Sequence, residues 1–308
     1  MRTYIRHQTE TVLCVIMVLL LTLQPLAVHA AEGRSPIPED RELYLPTTGN
    51  QVSETDTASI DTSHTGQGYV MCRYTGPSEK AVVQITKART GTPYNYYIGS
   101  GKEYEAIPLT RGDGFYHIQI LSNLRDNLYI PVTDVSVDVV LENSFLPFLY
   151  ASHVIRYDAE SPAVAKARTL TKDANNDAGK IAAIYRYVVE HIKYDDEKAK
   201  KVAAGYTGNP DDTLRAGKGI CIDYAVLAAA MLRSQSIPAK VVYGTTPEGK
   251  YHAWISVYST AAGETHDGFE IKAGAWNLLD PTFASSAPEY MKKHFEADRD
   301  SYIDKYEY

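Results

Sequence analysis

The sequence predicts an α+β protein, with a small all-β sandwich followed by a domain whose helices pack on an antiparallel sheet. Three observations carry this reading. Between residues 69 and 142, short runs rich in β-branched and aromatic residues are separated by turn residues. After Pro162 the apolar period becomes that of a helix. Beyond Pro238, residues 239–244, 251–258 and 275–279 read as three further strands.

Residues 1–30 read as a secretory signal peptide. Arg2 and Arg6 make a basic start, residues 12–23 are apolar, and Val28-His29-Ala30 offers small residues at the cleavage positions. The apolar run is too short to span a bilayer comfortably, and no second run follows. The expected chain is therefore exported, secreted or held at the cell surface, with no membrane span in its mature form. Residues 31–68, rich in Pro, Ser, Thr, Asp and Gly, are predicted to be a flexible N-terminal segment.

The full chain carries a net charge of −7, and losing Arg2, Arg6 and Glu10 removes a net +1, leaving −8. Phosphate backbones would repel such a surface, so nucleic acid is excluded as a partner. There are 24 tyrosines against 6 phenylalanines. Tyrosine suits half-buried strands and carbohydrate-facing surfaces alike, and the simplest expectation is the exposed faces of a β domain.

Residues 69–145 are predicted to form the sandwich. Val135, Val137 and Val139 alternate with Ser136 and Asp138, and Gly76-Pro77, Gly99-Ser100-Gly101 and Gly112-Asp113-Gly114 supply turn chemistry. No cluster of reactive residues stands out there, so the expected role is packing support, with sugar or protein binding as the alternative. Cys72 reads as a small buried strand residue.

Residues 146–296 form the second predicted domain, and residues 297–308 a charged tail. Ile181, Ile184, Tyr185, Val188 and Ile192 share one face of a helix over 177–192. Residues 205–219 are expected to be a loop with its tip at Gly208-Asn209-Pro210. Gly219 ends that loop and Cys221 opens a second helix, continued by the alanine-rich run 225–232. A thiol in a first turn feels the positive helix end, which favours thiolate, and the free N–H groups there can receive a developing oxyanion. His252 starts the strand 251–258, and Asp280-Pro281 ends the strand 275–279.

Alone, each of these residues has a commoner structural use: a small buried cysteine, a structural histidine, a turn-capping aspartate. Their order and the boundaries they occupy reverse that, pointing to a thiol nucleophile, its base, and the carboxylate that orients the base. A disulfide between Cys72 and Cys221 is the competing structural reading. The other histidines have no metal-ligand spacing, so neither a metal nor another cofactor is expected.

Four motifs together resemble the transglutaminase-like superfamily, whose fold is related to that of papain-type cysteine proteases. They are G-K-G-I-C-I-D-Y-A at Gly217, R-S-Q-S-I-P-A-K-V-V-Y-G at Arg233, H-A-W at His252 and W-N-L-L-D-P-T at Trp276. The resemblance covers roughly residues 169–282 and implies a papain-like transglutaminase core. It implies Cys221 as nucleophile, His252 as general base and acid, and Asp280 as orienting residue. Tyr194 and Tyr206 are candidates for completing the oxyanion hole. Acyl transfer or amide hydrolysis through a Cys221 thioester is the implied chemistry, on peptide or protein substrates, with cell-wall peptides among the candidates. The alternative is a non-catalytic extracellular binding protein whose groove and sandwich hold a peptide or glycan.

Overall fold

The computed structural model describes residues 43–89, 91–203, 205–265, 268–286 and 301–308. The expected leader, and the part of the N-terminal segment before residue 43, lie outside the described residues. Eight strands come first: β1 (Val52–Glu54), β2 (Ala58–Asp61), β3 (Tyr69–Tyr74), β4 (Lys80–Lys87), β5 (Tyr94–Gly99), β6 (Glu105–Pro108), β7 (Gly114–Arg125) and β8 (Leu128–Val139). They make two antiparallel sheets, in the orders β1-β2-β3-β6 and β5-β4-β7-β8. Alternation sets the inner faces. Tyr94, Tyr96 and Ile98 of β5 are buried while Asn95, Tyr97 and Gly99 face out, as the period of a pleated strand requires. Ile60, Val70, Val83, Ile118 and Ile120 share one apolar core, and Tyr74 bridges the two sheets through a 2.6 Å hydrogen bond to Ser122.

The sandwich begins earlier than the sequence suggests. Residues 52–61, expected to be flexible, supply β1 and β2, and Tyr44 is buried against Tyr150 with ring centroids 5.4 Å apart. These segments have too few aliphatic residues to register as strands alone, yet β2 is buried along its whole length between neighbours.

The second domain carries α1 (Pro162–Thr171), α2 (Asp177–His191), β9 (Lys193–Tyr194), α3 (Asp196–Lys201), α4 (Pro210–Ala216), β10 (Lys218–Gly219) and α5 (Cys221–Arg233). There follow β11 (Ala239–Thr245), β12 (Tyr251–Ser259), β13 (Gly263–Glu264), β14 (Glu270–Ile271), β15 (Ala275–Leu279), α6 (Pro281–Ser286) and β16 (Ile303–Glu307). The sheet runs in the order β15-β12-β11-β16, antiparallel throughout. The predicted helices and the three predicted strands are all present.

Two expectations are overturned here. The segment 205–219 is not a plain loop, because Asn209 caps α4 by accepting the Asp212 N–H at 3.0 Å and Pro210 occupies its first turn. Residues 303–307, expected to be a charged tail, form β16 on the edge of the sheet beside β11. The tyrosine excess is also placed differently: Tyr44, Tyr69, Tyr74, Tyr116, Tyr185 and Tyr224 are among the largest fully buried side chains. Tyr306 and Tyr308 pack their rings on Tyr94 and Tyr96 of β5, so one layer of tyrosine joins the sandwich to the second domain.

From Ile222 to Arg233, α5 is buried. Its last residue has no solvent exposure, and burial lowers its pKa to about 10. Arg233 instead donates to three carbonyls: Ala239 O at 2.8 Å, Tyr150 O at 2.7 Å and Tyr308 O at 3.0 Å. Replacing it by an apolar side chain strands those acceptors, each of which costs roughly 1–3 kcal/mol when unpaired. Arg233→Met should therefore lose about 3 kcal/mol or more in urea unfolding; a loss under about 1 kcal/mol would mean the carbonyls find other donors.

Candidate active site

Cys221 is held by the turn that precedes it. β10 pairs in parallel with β9, which sets Gly219 beside Tyr194. A Cβ on Gly219 would stand 2.5 Å from the Cβ of Asp223, so only glycine fits. Asp223 lies in the first turn of α5 and reaches back to accept the Ile220 N–H at 2.8 Å. Its buried carboxylate is matched by Lys198 Nζ at 2.7 Å from Oδ2 and by the Tyr206 hydroxyl, which donates to Oδ1 at 2.7 Å. Lys198 also donates to that hydroxyl at 2.7 Å. The turn is thus fixed from three sides. It leaves Cys221 half-buried at the helix start, with its amide among the N–H groups that have no intrahelical acceptor.

His252 and Asp280 come from adjacent strands, since β12 pairs with β15 through Ile255 opposite Leu279. His252 Nε2 donates to Asp280 Oδ2 at 2.9 Å. The Cys221 sulfur is close enough to the imidazole to act on its charge. With Nε2 taken by the carboxylate, Nδ1 is the nitrogen left for sulfur. Burial works against a charged imidazole, but the hydrogen bond to Asp280, the Cys221 sulfur and the charges of both outweigh it and raise the pKa to about 10. The three residues singled out from sequence therefore meet, and the imidazole stands between the other two with a strong preference for the proton.

Asp280 is buried and has further partners. It caps α6, with Oδ1 accepting the Phe283 N–H at 2.9 Å. Its Oδ2 also accepts from the Tyr302 hydroxyl at 3.2 Å. Tyr302 packs edge-on against Trp254 at 4.9 Å between ring centroids, and Trp254 is stacked beside His252. The sequence reading passes over Tyr302, which lies 22 residues beyond Asp280 in the stretch expected to be a tail. Nothing periodic marks it, since β16 just after it reads Ile-Asp-Lys-Tyr-Glu with no alternation.

Of the two oxyanion-hole candidates, Tyr194 stands close to the thiol: burial raises its hydroxyl's pKa, and the Cys221 charge adds to that. Tyr206 is not placed for the role, because its hydroxyl is committed to Asp223 and Lys198. Cys72 is buried in β3, where burial pushes its thiol's pKa far up, and both cysteines are free. The disulfide reading is therefore overturned. Among the described residues no group of three or more His, Cys, Asp or Glu side chains is arranged to hold a metal ion. No helix among them is long and apolar enough to cross a membrane.

A thiol at a helix start is thus brought together with a histidine and an aspartate from neighbouring strands. Residues 164–281 match the family described as the transglutaminase-like superfamily, a span from α1 to the residue after Asp280. This part of the chain is similar to a transglutaminase-like domain. A UPF0252 protein of Methanocaldococcus jannaschii is 33% identical over 88 residues, which are 25% of this chain and 25% of that protein. Human kyphoscoliosis peptidase is 27% identical over 158 residues, 48% of this chain and 21% of that one. The chain thus spans about a quarter or less of the length of these relatives. Among solved structures, red sea bream transglutaminase is similar at 12% identity with a TM-score of 0.32, over 72% of this chain and 49% of that one.

Two outcomes follow from the geometry. The folded pKa of His252 lies above its unfolded value near 6.5, so the stabilisation is complete below about pH 6.5 and is lost as pH rises towards about 10. Unfolding free energies of wild type and His252→Gln, measured across that range, should converge at the alkaline end; a constant difference would remove the charged imidazole. Tyr302→Phe deletes one hydrogen bond to a carboxylate, worth about 1 kcal/mol, and should lower kcat by roughly fivefold with KM unchanged. An unchanged kcat would leave Tyr302 as packing for Trp254 alone.

Proposed function

We propose that the chain is a secreted cysteine enzyme that transfers or hydrolyses acyl groups of peptide or protein substrates through a thioester on Cys221. The observation that carries this is the position of His252, hydrogen-bonded to Asp280 and close enough to Cys221 for the sulfur to act on its charge. The sulfur attacks the acyl carbon and forms the C–S bond. The leaving amine departs with the proton supplied by His252. An incoming amine or water then gives its proton to His252 and attacks the thioester, and the sulfur leaves as thiolate. The amide at the start of α5, with Tyr194 close by, stands where negative charge develops on oxygen. Asp280 keeps the imidazole oriented with Nδ1 towards sulfur. The placement outside the cell rests on the leader-like residues 1–30, and the peptidase name of a relative lends weight to amide substrates.

Iodoacetamide tests the reading directly. Cys221 should alkylate at pH 7, while Cys72, wholly buried in the native protein, stays unlabelled. His252→Gln should slow that reaction by at least about tenfold, because the imidazole no longer holds the proton. Equal rates in the two proteins would remove His252 from the mechanism. Cys221→Ala should abolish peptide release and amine incorporation alike with the fold intact, and Asp280→Asn should retain the thiol while losing most of the rate.

A further inference from the structure

A cavity of about 380 Å³ opens next to the thiol, between β5, the connector at His153, the segment before α4, the hairpin β11–β12 and the C-terminal strand. Tyr206 and Tyr251 tie it to the site: Tyr206 donates to Asp223 in the first turn of the helix that Cys221 opens, and Tyr251 immediately precedes His252 on β12. Its walls have an unusual chemistry. Seven of its thirteen lining residues are tyrosines, and none of the thirteen is Asp, Glu, Lys or Arg. The hydroxyls of Tyr97, Tyr243, Tyr251, Tyr306 and Tyr308 have no hydrogen bond to any described residue. They remain available to something in the cavity.

A second, independent observation is His153. Its side chain is 3% exposed and lines the cavity, and its Nε2 is buried with no hydrogen-bond partner. Its Nδ1 lies 3.0 Å from Glu105 Oε2 and 3.1 Å from Arg156 Nη2. Burial works against the Glu105 charge, but the hydrogen bond from His153 and the charges of His153 and Arg156 lower its pKa overall. Nδ1 thus faces both a carboxylate and a guanidinium, while Nε2, on the other side of the ring, is the nitrogen left without a partner. A buried polar nitrogen left unpaired costs free energy, which a hydroxyl in the cavity, able to donate or accept, would recover.

We propose that this cavity binds a neutral saccharide ring, borne on or next to the acyl substrate. Ring C–H faces lie on tyrosine, and sugar hydroxyls meet the tyrosine hydroxyls, with one hydrogen-bonded to His153 Nε2. A charged ligand would bring its charge into walls that offer no counter-charge. An aliphatic side chain would fill the volume and leave the hydroxyls and Nε2 unpaired. The binding stands on the cavity alone, and only the word substrate rests on the acyl-transfer reading.

The test uses the Cys221→Ala protein and saturation-transfer NMR with glucose, N-acetylglucosamine and their disaccharides, with putrescine, acetate and a leucine dipeptide as comparators. At least one saccharide should bind and the comparators should not displace it. Tyr97→Ala, at a residue 51% exposed that leaves the core untouched, should weaken binding by about tenfold, as should His153→Phe. Loss with Tyr97→Ala alone is enough if His153→Phe does not fold. Absence of saccharide binding, binding indifferent to Tyr97, or displacement by putrescine or the dipeptide would overturn the proposal. Alkylation of Cys221 in the wild type is read separately, so a reactive thiol with an empty cavity refutes the saccharide and spares the enzyme.

Discussion

The buried guanidinium of Arg233 is the constraint on which the other parts depend. A positive charge without an Asp or Glu partner can stay inside only if oxygen acceptors surround it. The three it uses belong to the connector at Tyr150, the start of β11 at Ala239 and the C-terminal end at Tyr308. It therefore ties the end of α5 to three segments that are remote from one another in sequence. Cys221 is the first residue of the same helix. Because α5 is buried from Ile222 onward, locking its far end also limits how the first turn can tilt or slide.

At the near end the same logic recurs with opposite sign. Asp223 is a buried carboxylate matched by Lys198 and Tyr206, and burial works against the Lys198 charge until the hydrogen bonds it donates to Asp223 and Tyr206 outweigh it and raise its pKa. Such a pair adds little net stability over an apolar one, but its hydrogen bonds are directional. Here the direction defines the turn from Gly219 to Cys221. The sheet needs no comparable device. The antiparallel register of β12 with β15 already carries His252 and Asp280 to one end, where the N-cap role of Asp280 holds its carboxylate still.

The catalytic-type trio is legible in the sequence because each member sits at a boundary with local punctuation, glycine before Cys221 and proline after Asp280. Helix α2 and the strands of the second sheet are legible because their periods run long enough to count. What escapes is short or depends on distant partners. α4 has seven residues, too few for periodicity, and only its Asn209-Pro210 start marks it. β16 is a charged edge strand, whose Asp304, Lys305 and Glu307 look like any solvated tail until β11 lies beside them. The tyrosines mislead because a ring with a polar tip can be buried wherever its hydroxyl finds an acceptor, as Tyr157 does at Leu149 O.

That C-terminal strand changes how the site is understood. Tyr302 reaches the oxygen of Asp280 that also receives His252. Tyr306 and Tyr308 line the cavity beside the thiol and pack on β5 of the sandwich. The carbonyl of Tyr308 is one of the three that neutralise Arg233. One short strand thus touches the orienting carboxylate, the cavity wall, the sandwich and the buried charge. The sandwich is then more than a neighbour: its β5 tyrosines complete the wall that the strand begins, so the cavity exists only where both domains and the last residues of the chain are together. The Cys221, His252 and Asp280 side chains all come from the transglutaminase-like segment, whereas the cavity walls are shared among the sandwich, that segment and the C-terminal strand.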